Sequence, residues 1–221
     1  VISTDELKAE QEKTLSTPKL KPGIPAKLLF ALMDSVYGKK ATMSKFLVLE
    51  IVARMPYVAW EQVSYVAITH KHSDPLFAKD IHENVVESRS QQDNEMWHLL
   101  ILEELIQKRN TRLGFFKVRV LPQVLAYIYY HVSWLMYVMK PRFSYQLNAE
   151  FEDHAEHEYM KFVLDHPEFE DEKWESKLKD DYGDFDTLAD LFRNIGLDER
   201  EHKELSLEKI ENARFAPKSG S

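Results

Sequence analysis

The stretch NEMWHLLILEEL, residues 94–105, places Glu95 and His98 three residues apart in a segment that otherwise reads as buried helix. A carboxylate and an imidazole aimed at an apolar core are costly unless something there satisfies both. A chain carrying them must either pair the two groups with each other or gather more groups of the same kind around them. The spacing returns at Glu199 and His202 in DEREH. Positions i and i+3 share one helix face, so each pair can address one ion. Two copies alone prove little, because a motif this short also occurs by chance in a Glu-rich chain.

Two further glutamates complete a set. Glu50 stands in FLVLEIV as a lone carboxylate inside an apolar helical run, and Glu152 lies in NAEFEDHAEHEY. One Glu from each of two helices and Glu-x-x-His from each of two others is the donor set of di-iron carboxylate bundles. Four carboxylates are hard donors that offset the charge of two Fe(II), and two imidazoles leave positions open. Manganese is compatible with the same donors, whereas zinc favours fewer ligands and tetrahedral sites. Singly, each residue has a plainer reading: Glu50 as an interhelix ion pair, Glu95 with His98 as a core hydrogen-bonded pair. His70 and His72 read as a surface helix end and His131 as a satisfied core or interface group. His154 and His157 flank Glu152 and are candidates for supporting contacts only.

The rest of the chain agrees with an all-α fold. Glycine is scarce at 6 of 221 residues, and long segments carry helical spacing. Helices are expected over 24–37, 42–70 with a kink near Pro56, 74–107, 120–139, 142–166 and 184–215, with an acidic loop over 167–184. The domain reading is a polar, poorly ordered arm over 1–23, one bundle domain over 24–215 and a tail over 216–221. The chain opens on Val1 rather than Met, which leaves room for residues upstream. A net charge of −8 argues against a nucleic-acid partner, and the lack of cysteine excludes disulfides, iron–sulfur clusters and zinc–thiolate sites.

Four stretches, FLVLEIVARMPY, NEMWHLLILEEL, PRFSYQLNAEFEDHAEHEYMKF and DEREH, resemble the alternative oxidases, and most closely their plastid terminal oxidase branch. The resemblance covers about residues 42–210. It implies a ferritin-like four-helix bundle holding two irons, with Glu50, Glu95, His98, Glu152, Glu199 and His202 as ligands. It implies oxidation of a quinol, plastoquinol or ubiquinol, with reduction of O2 to water. Tyr159, seven residues after Glu152, matches the family's redox-active tyrosine. Asn94 and Asp198 match residues that hydrogen-bond the ligands, and Lys45, Leu49 and His154 fall where relatives contact the quinol head. FEDHA where mitochondrial members carry LEEEA favours the plastid branch. The short acidic loop, where plant plastid enzymes have an insertion, looks more cyanobacterial. Thiol control has no cysteine to act through.

A quinol with a long isoprenoid tail lives in a bilayer. Residues 120–139 contain no Asp, Glu, Lys or Arg, yet hold Gln123, His131, Ser133 and several Tyr and Trp, and Lys117, Arg119, Lys140 and Arg142 bracket them. They read as a helix lying in one leaflet, with 24–37 as a second membrane-interface helix. The plainer reading is a buried packing helix. The family resemblance implies monotopic attachment, often as a homodimer, here at a thylakoid or equivalent photosynthetic membrane. A ferritin-like iron-oxidising or storage protein shares the ligand set but does not account for this segment. A soluble di-iron hydroxylase or desaturase would need a reductase partner.

Overall fold

The computed structural model describes residues 2–111 and 114–211, and among them every regular element is helical. In chain order these are α1 (Thr4–Ser16), α2 (Ile24–Tyr37), α3 (Met43–Ala53), α4 (Met55–Lys71), α5 (Pro75–Arg109), a π-turn at Phe116–Val120 and α6 (Leu121–Met139). Then come α7 (Pro141–Asp165), a 3-10 turn at Pro167–Glu170, the single turn α8 (Lys179–Tyr182) and α9 (Leu188–Lys209). Local signals explain the boundaries. The Asp74 side chain accepts from the Phe77 amide at 3.1 Å, and Pro75 sits in the first turn, where a missing N–H costs nothing. Asn110 ends α5 in the left-handed region, at φ 51°. Thr42 and Thr187 cap α3 and α9 in the same way as Asp74. The long helix expected over 42–70 breaks at Arg54. Pro56 has no N–H to donate to the Val52 carbonyl, and its ring crowds that turn.

α3 and α4 pack along α5, and α7 packs along α9; the two pairs meet across a centre filled by carboxylates and imidazoles. This is the expected four-helix bundle. At the α7–α9 contact a side chain on Gly196 would place its Cβ 2.9 Å from Met160 Cε, so the small residue lets these helices approach closely. Phe46, Phe162, Phe169 and Phe192 pack beside the centre, and Phe46 stacks on Tyr159 at 4.1 Å. α6 lies against α3, α4 and α7. It buries Leu125, Ala126, Tyr129, Ser133 and Tyr137 and exposes Tyr127, Ile128, Leu135 and Met139, so it is half-buried rather than an interior packing helix. No described helix is long and apolar enough to cross a membrane.

One expectation needs correcting. The arm read as polar and poorly ordered contains α1, opened by a reciprocal capping box between Ser3 and Glu6 and docked on α7 and α9. Leu7 is buried, the Gln11 amide donates to the Met160 carbonyl at 2.7 Å, and the Thr14 hydroxyl donates to Glu156 at 2.7 Å. The strap that follows also engages α7. The Leu20 and Gly23 amides donate to Asp153 and Glu150, both at 2.8 Å. The end expected for the last helix, at 215, and the tail 216–221 lie outside the described residues.

Candidate metal centre

Each of four helical elements delivers its donors by a simple local rule. Glu50 comes from α3 and Glu152 from α7, each as one inward position of a helix. α5 and α9 supply Glu95 with His98 and Glu199 with His202, each pair one turn apart on a single face. All six side chains are buried. Their donor atoms fall into two overlapping groups, Glu50, Glu95, His98 and Glu199, then Glu95, Glu152, Glu199 and His202. Within each group the atoms lie within 4.8 Å of one another. Glu95 and Glu199 belong to both groups, so either could serve two ions if a pair were bound, and Glu50 and Glu152 each belong to one. His98 Nδ1 lies 3.2 Å from Glu199 Oε1 and 3.4 Å from Glu50 Oε2, and His202 Nδ1 lies 3.0 Å from Glu95 Oε1.

The fit to a pair of cations rests on atoms that have nothing else to do. Glu50 Oε2, both oxygens of Glu95, Glu152 Oε2, both oxygens of Glu199 and Nδ1 of His98 and His202 are buried without a hydrogen-bond partner. Buried polar atoms are almost always paired, and eight such atoms converging on one spot are a donor set that a pair of cations would satisfy. Electrostatics agree. Burial pushes the Glu95 and Glu152 carboxyls well above the usual range, and Glu199 adds to the push on both. Burial opposes charge on Glu199 as well, but His202 and His98 outweigh it and bring that group down to about 2. Both imidazoles are raised against their burial, His98 by Asp198, Glu199 and Glu50, and His202 by Glu199 and Glu152. Two divalent ions would replace these protons and balance four carboxylates.

A surrounding layer orients the donors. His98 Nε2 lies 3.0 Å from Asp198 Oδ2, which also accepts from Asn94 at 3.2 Å. The structure thus places Asp198 against the His98 imidazole and Asn94 against Asp198. It adds residues that the sequence did not single out. The Tyr182 hydroxyl donates to Asp198 at 2.6 Å and accepts from Asn194 at 3.0 Å. Tyr182 sits in the acidic loop, where nothing in the sequence marks it. Tyr159 donates to Glu50 Oε1, and Tyr57 donates to Glu152 Oε1 at 2.7 Å. Burial, then the adjacent carboxylates, hold both phenols well above the ordinary value, so at neutral pH each keeps its proton and donates. A signal for Tyr57 does exist in the sequence: it follows Glu50 by seven residues, as Tyr159 follows Glu152.

Lys45, Leu49 and His154 lie on the α2 side. Lys45 Nζ donates to Asp34 Oδ1 at 2.7 Å and to the Gly38 carbonyl at 2.9 Å. His154 stacks on Phe30 at 4.3 Å, and burial brings its imidazole down to about 4. Leu49 is buried in the core. On the other side, between α4, α5 and α6, a cavity of about 460 Å³ reaches Glu50 and Glu95, with Ile51, Leu99, Gln123 and Tyr127 in its wall. His70, His72 and His131 are exposed, and His157 is taken up by the Asp153 and Thr17 carbonyls. Asp153, Glu156 and His157 also come together, but Lys203 and Arg200 already neutralise them.

Residues 23–209 match the family model described as Alternative oxidase. Among curated proteins, Ubiquinol oxidase 4, chloroplastic/chromoplastic, from Arabidopsis thaliana is 31% identical over 151 residues, which is 66% of this chain. The chain spans 39% of that relative's length.

Proposed function

Because the chain belongs to the alternative oxidase family, we propose that it is a di-iron quinol oxidase, joining the oxidation of two quinols to the reduction of one O2 to two waters. The observation that carries the proposal is the set of eight buried, unpartnered donor atoms converging from four helical elements. The six ligands would be Glu50, Glu95, His98, Glu152, Glu199 and His202. When bound, the iron pair supplies the redox chemistry, taking electrons from quinol and delivering them to O2.

The protein's own residues do the rest. Glu95 and Glu199, shared by both donor groups, would hold both ions, and Asp198, steadied by Asn94, fixes the ring of His98. Tyr159 is the proposed catalytic tyrosine: its phenol is closed off from solvent and donates to a ligand carboxylate. Quinol has two approaches. Lys45, Leu49 and His154 are the contacts that the family resemblance suggests, and the cavity beside Gln123 and Tyr127 is the open path to Glu50 and Glu95. In its wall Gln123 and Tyr127 offer polar atoms for a quinol hydroxyl, and Ile51 and Leu99 offer apolar surface for the ring. The chloroplastic name of the relative supports a photosynthetic membrane, while plastoquinol as substrate and a cyanobacterial type of membrane rest on the family resemblance of the sequence. The exposed apolar faces of α2 and α6 support monotopic attachment to a bilayer, and the resemblance adds a homodimer.

The test is oxygen uptake by the iron-loaded protein in mild detergent, started with a short-chain plastoquinol. Rapid uptake without peroxide release, lost in Glu199→Ala, is the expected result. Tyr159→Phe should cut turnover strongly at unchanged iron content, and retained turnover would remove Tyr159 from the reaction. Consumption of Fe(II) alone, with no dependence on quinol, would identify an iron-oxidising protein of the ferritin kind instead. Lys45→Ala against Gln123→Ala separates the two quinol paths by which variant raises KM.

A further inference from the structure

Tyr57 is a second buried phenol in the centre, and no step above uses it. Its placement follows a symmetry. Glu50 and Tyr57 are seven residues apart across the α3–α4 break, and Glu152 and Tyr159 are seven apart on α7. The two pairs are crossed: Tyr159 donates to Glu50, and Tyr57 donates to Glu152 at 2.7 Å. Each phenol takes the Oε1 atom of a carboxylate that belongs to one subsite only, and each leaves the Oε2 atom unpartnered.

We infer that Tyr57 is a positioning residue for the Glu152–His202 subsite, holding Glu152 so that it offers a single oxygen, Oε2, to the ion. This rests on the metal reading given above. The phenol is itself held. Asn148 donates to its oxygen at 2.9 Å and to the Ser206 hydroxyl at 3.1 Å. With one lone pair engaged by Asn148, the Tyr57 O–H is left pointing at Glu152. The ring packs edge-on against Trp60 at 5.3 Å and His202 at 5.5 Å. Tyr57→Phe would keep that packing and lose the hydrogen bonds of the phenol to Glu152 and from Asn148, leaving Glu152 free to swing or to bind through both oxygens. Partners that orient a ligand in this way are worth about 10–100-fold in metal affinity.

Co(II) titration of the metal-free protein, read by calorimetry and by the visible absorption of the bound ion, tests this without using turnover. The wild type should take up two Co(II). Tyr57→Phe should keep one site at wild-type affinity and weaken the other about 10–100-fold, with an altered absorption intensity for that ion as its coordination changes. Asn148→Ala, which leaves the phenol present but unsteered, should weaken the same site to a smaller degree, and it decides the question if Tyr57→Phe does not fold by circular dichroism. Two sites of wild-type affinity and unchanged spectrum in the folded variants would reduce Tyr57 to packing. A wild type that binds fewer than two Co(II) would overturn the di-metal reading itself, and this inference with it.

Discussion

The two ring nitrogens of His98 face different partners: Nδ1 lies among Glu50, Glu95 and Glu199, and Nε2 lies 3.0 Å from Asp198 Oδ2. An acceptor at Nε2 keeps a proton there and leaves the Nδ1 lone pair for an ion, while also fixing the ring plane. Asp198 is partly exposed and is steadied by Asn94 and Tyr182, so the support for this imidazole runs from the centre toward the surface. Asp198→Ala should therefore lower Co(II) affinity by about 10–100-fold at the Glu50–His98 subsite, the opposite site from the one that Tyr57 serves. Tyr182→Phe should act in the same direction and less. Equal weakening of both subsites by Asp198→Ala would mean that the residue acts on the fold rather than on His98.

At the scale of the elements, α1 is held mainly by polar contacts. Arg200 donates to Glu156 at 2.9 Å and also to Glu10 and Thr14, tying α9 to α7 and α1 at once. Removing it in Arg200→Ala should cost about 1.5–3 kcal/mol, the usual worth of hydrogen bonds to charged groups, and should raise amide exchange across residues 4–16. The same network sets a pH dependence. Burial pushes the Glu156 carboxyl up, but Lys203, Thr14 and Arg200 outweigh it and hold the group below its ordinary value near 4.5. Its contribution is therefore complete above pH 4.5 and is lost as pH falls through the lower folded value. Amide exchange in α1 should rise over that acid range, and a flat profile would show that the network does not hold the helix. These contacts also explain what the sequence conceals. The helices that carry the candidate ligands are legible because a Glu such as Glu50 is conspicuous inside an apolar run. α1 buries Gln11 and Thr14 beside Leu7, so its docked face leaves no apolar period to read. Tyr57 is marked only by its spacing, seven residues after Glu50 as Tyr159 is after Glu152, since a tyrosine in an apolar helix otherwise gives the same pattern whether its hydroxyl is used or not.

On the whole molecule, charge and apolar surface are distributed in opposition. The chain carries a net charge of −8, yet α6 exposes Val124, Tyr127, Ile128, Val132, Leu135, Val138 and Met139 along one face, with Phe115 and Phe116 just before it. Ile24, Leu28 and Leu32 form a similar exposed row on α2. α2 is tied to the π-turn that leads into α6, where the Tyr37 hydroxyl donates to the Lys117 carbonyl at 2.9 Å. Apolar rows this long are uncommon on a protein that meets only water. Lys117 and Arg119 before α6, with Lys140 and Arg142 after it, place cations where lipid head groups would lie if the helix rested in the interface. Burying one such side chain in acyl chains is worth about 1.5–3 kcal/mol, so a few of them suffice to offset the repulsion of a modest net negative charge from an anionic leaflet. The metal-loaded protein should therefore sediment with phosphatidylcholine vesicles in high salt, where electrostatic attraction is screened. Ile128→Glu combined with Leu135→Glu should leave it in the supernatant, while its melting temperature and Co(II) stoichiometry stay at wild-type values, because both positions point away from the bundle. A wild type that stays in solution with vesicles at every salt concentration would assign the apolar rows to contact between protein chains instead.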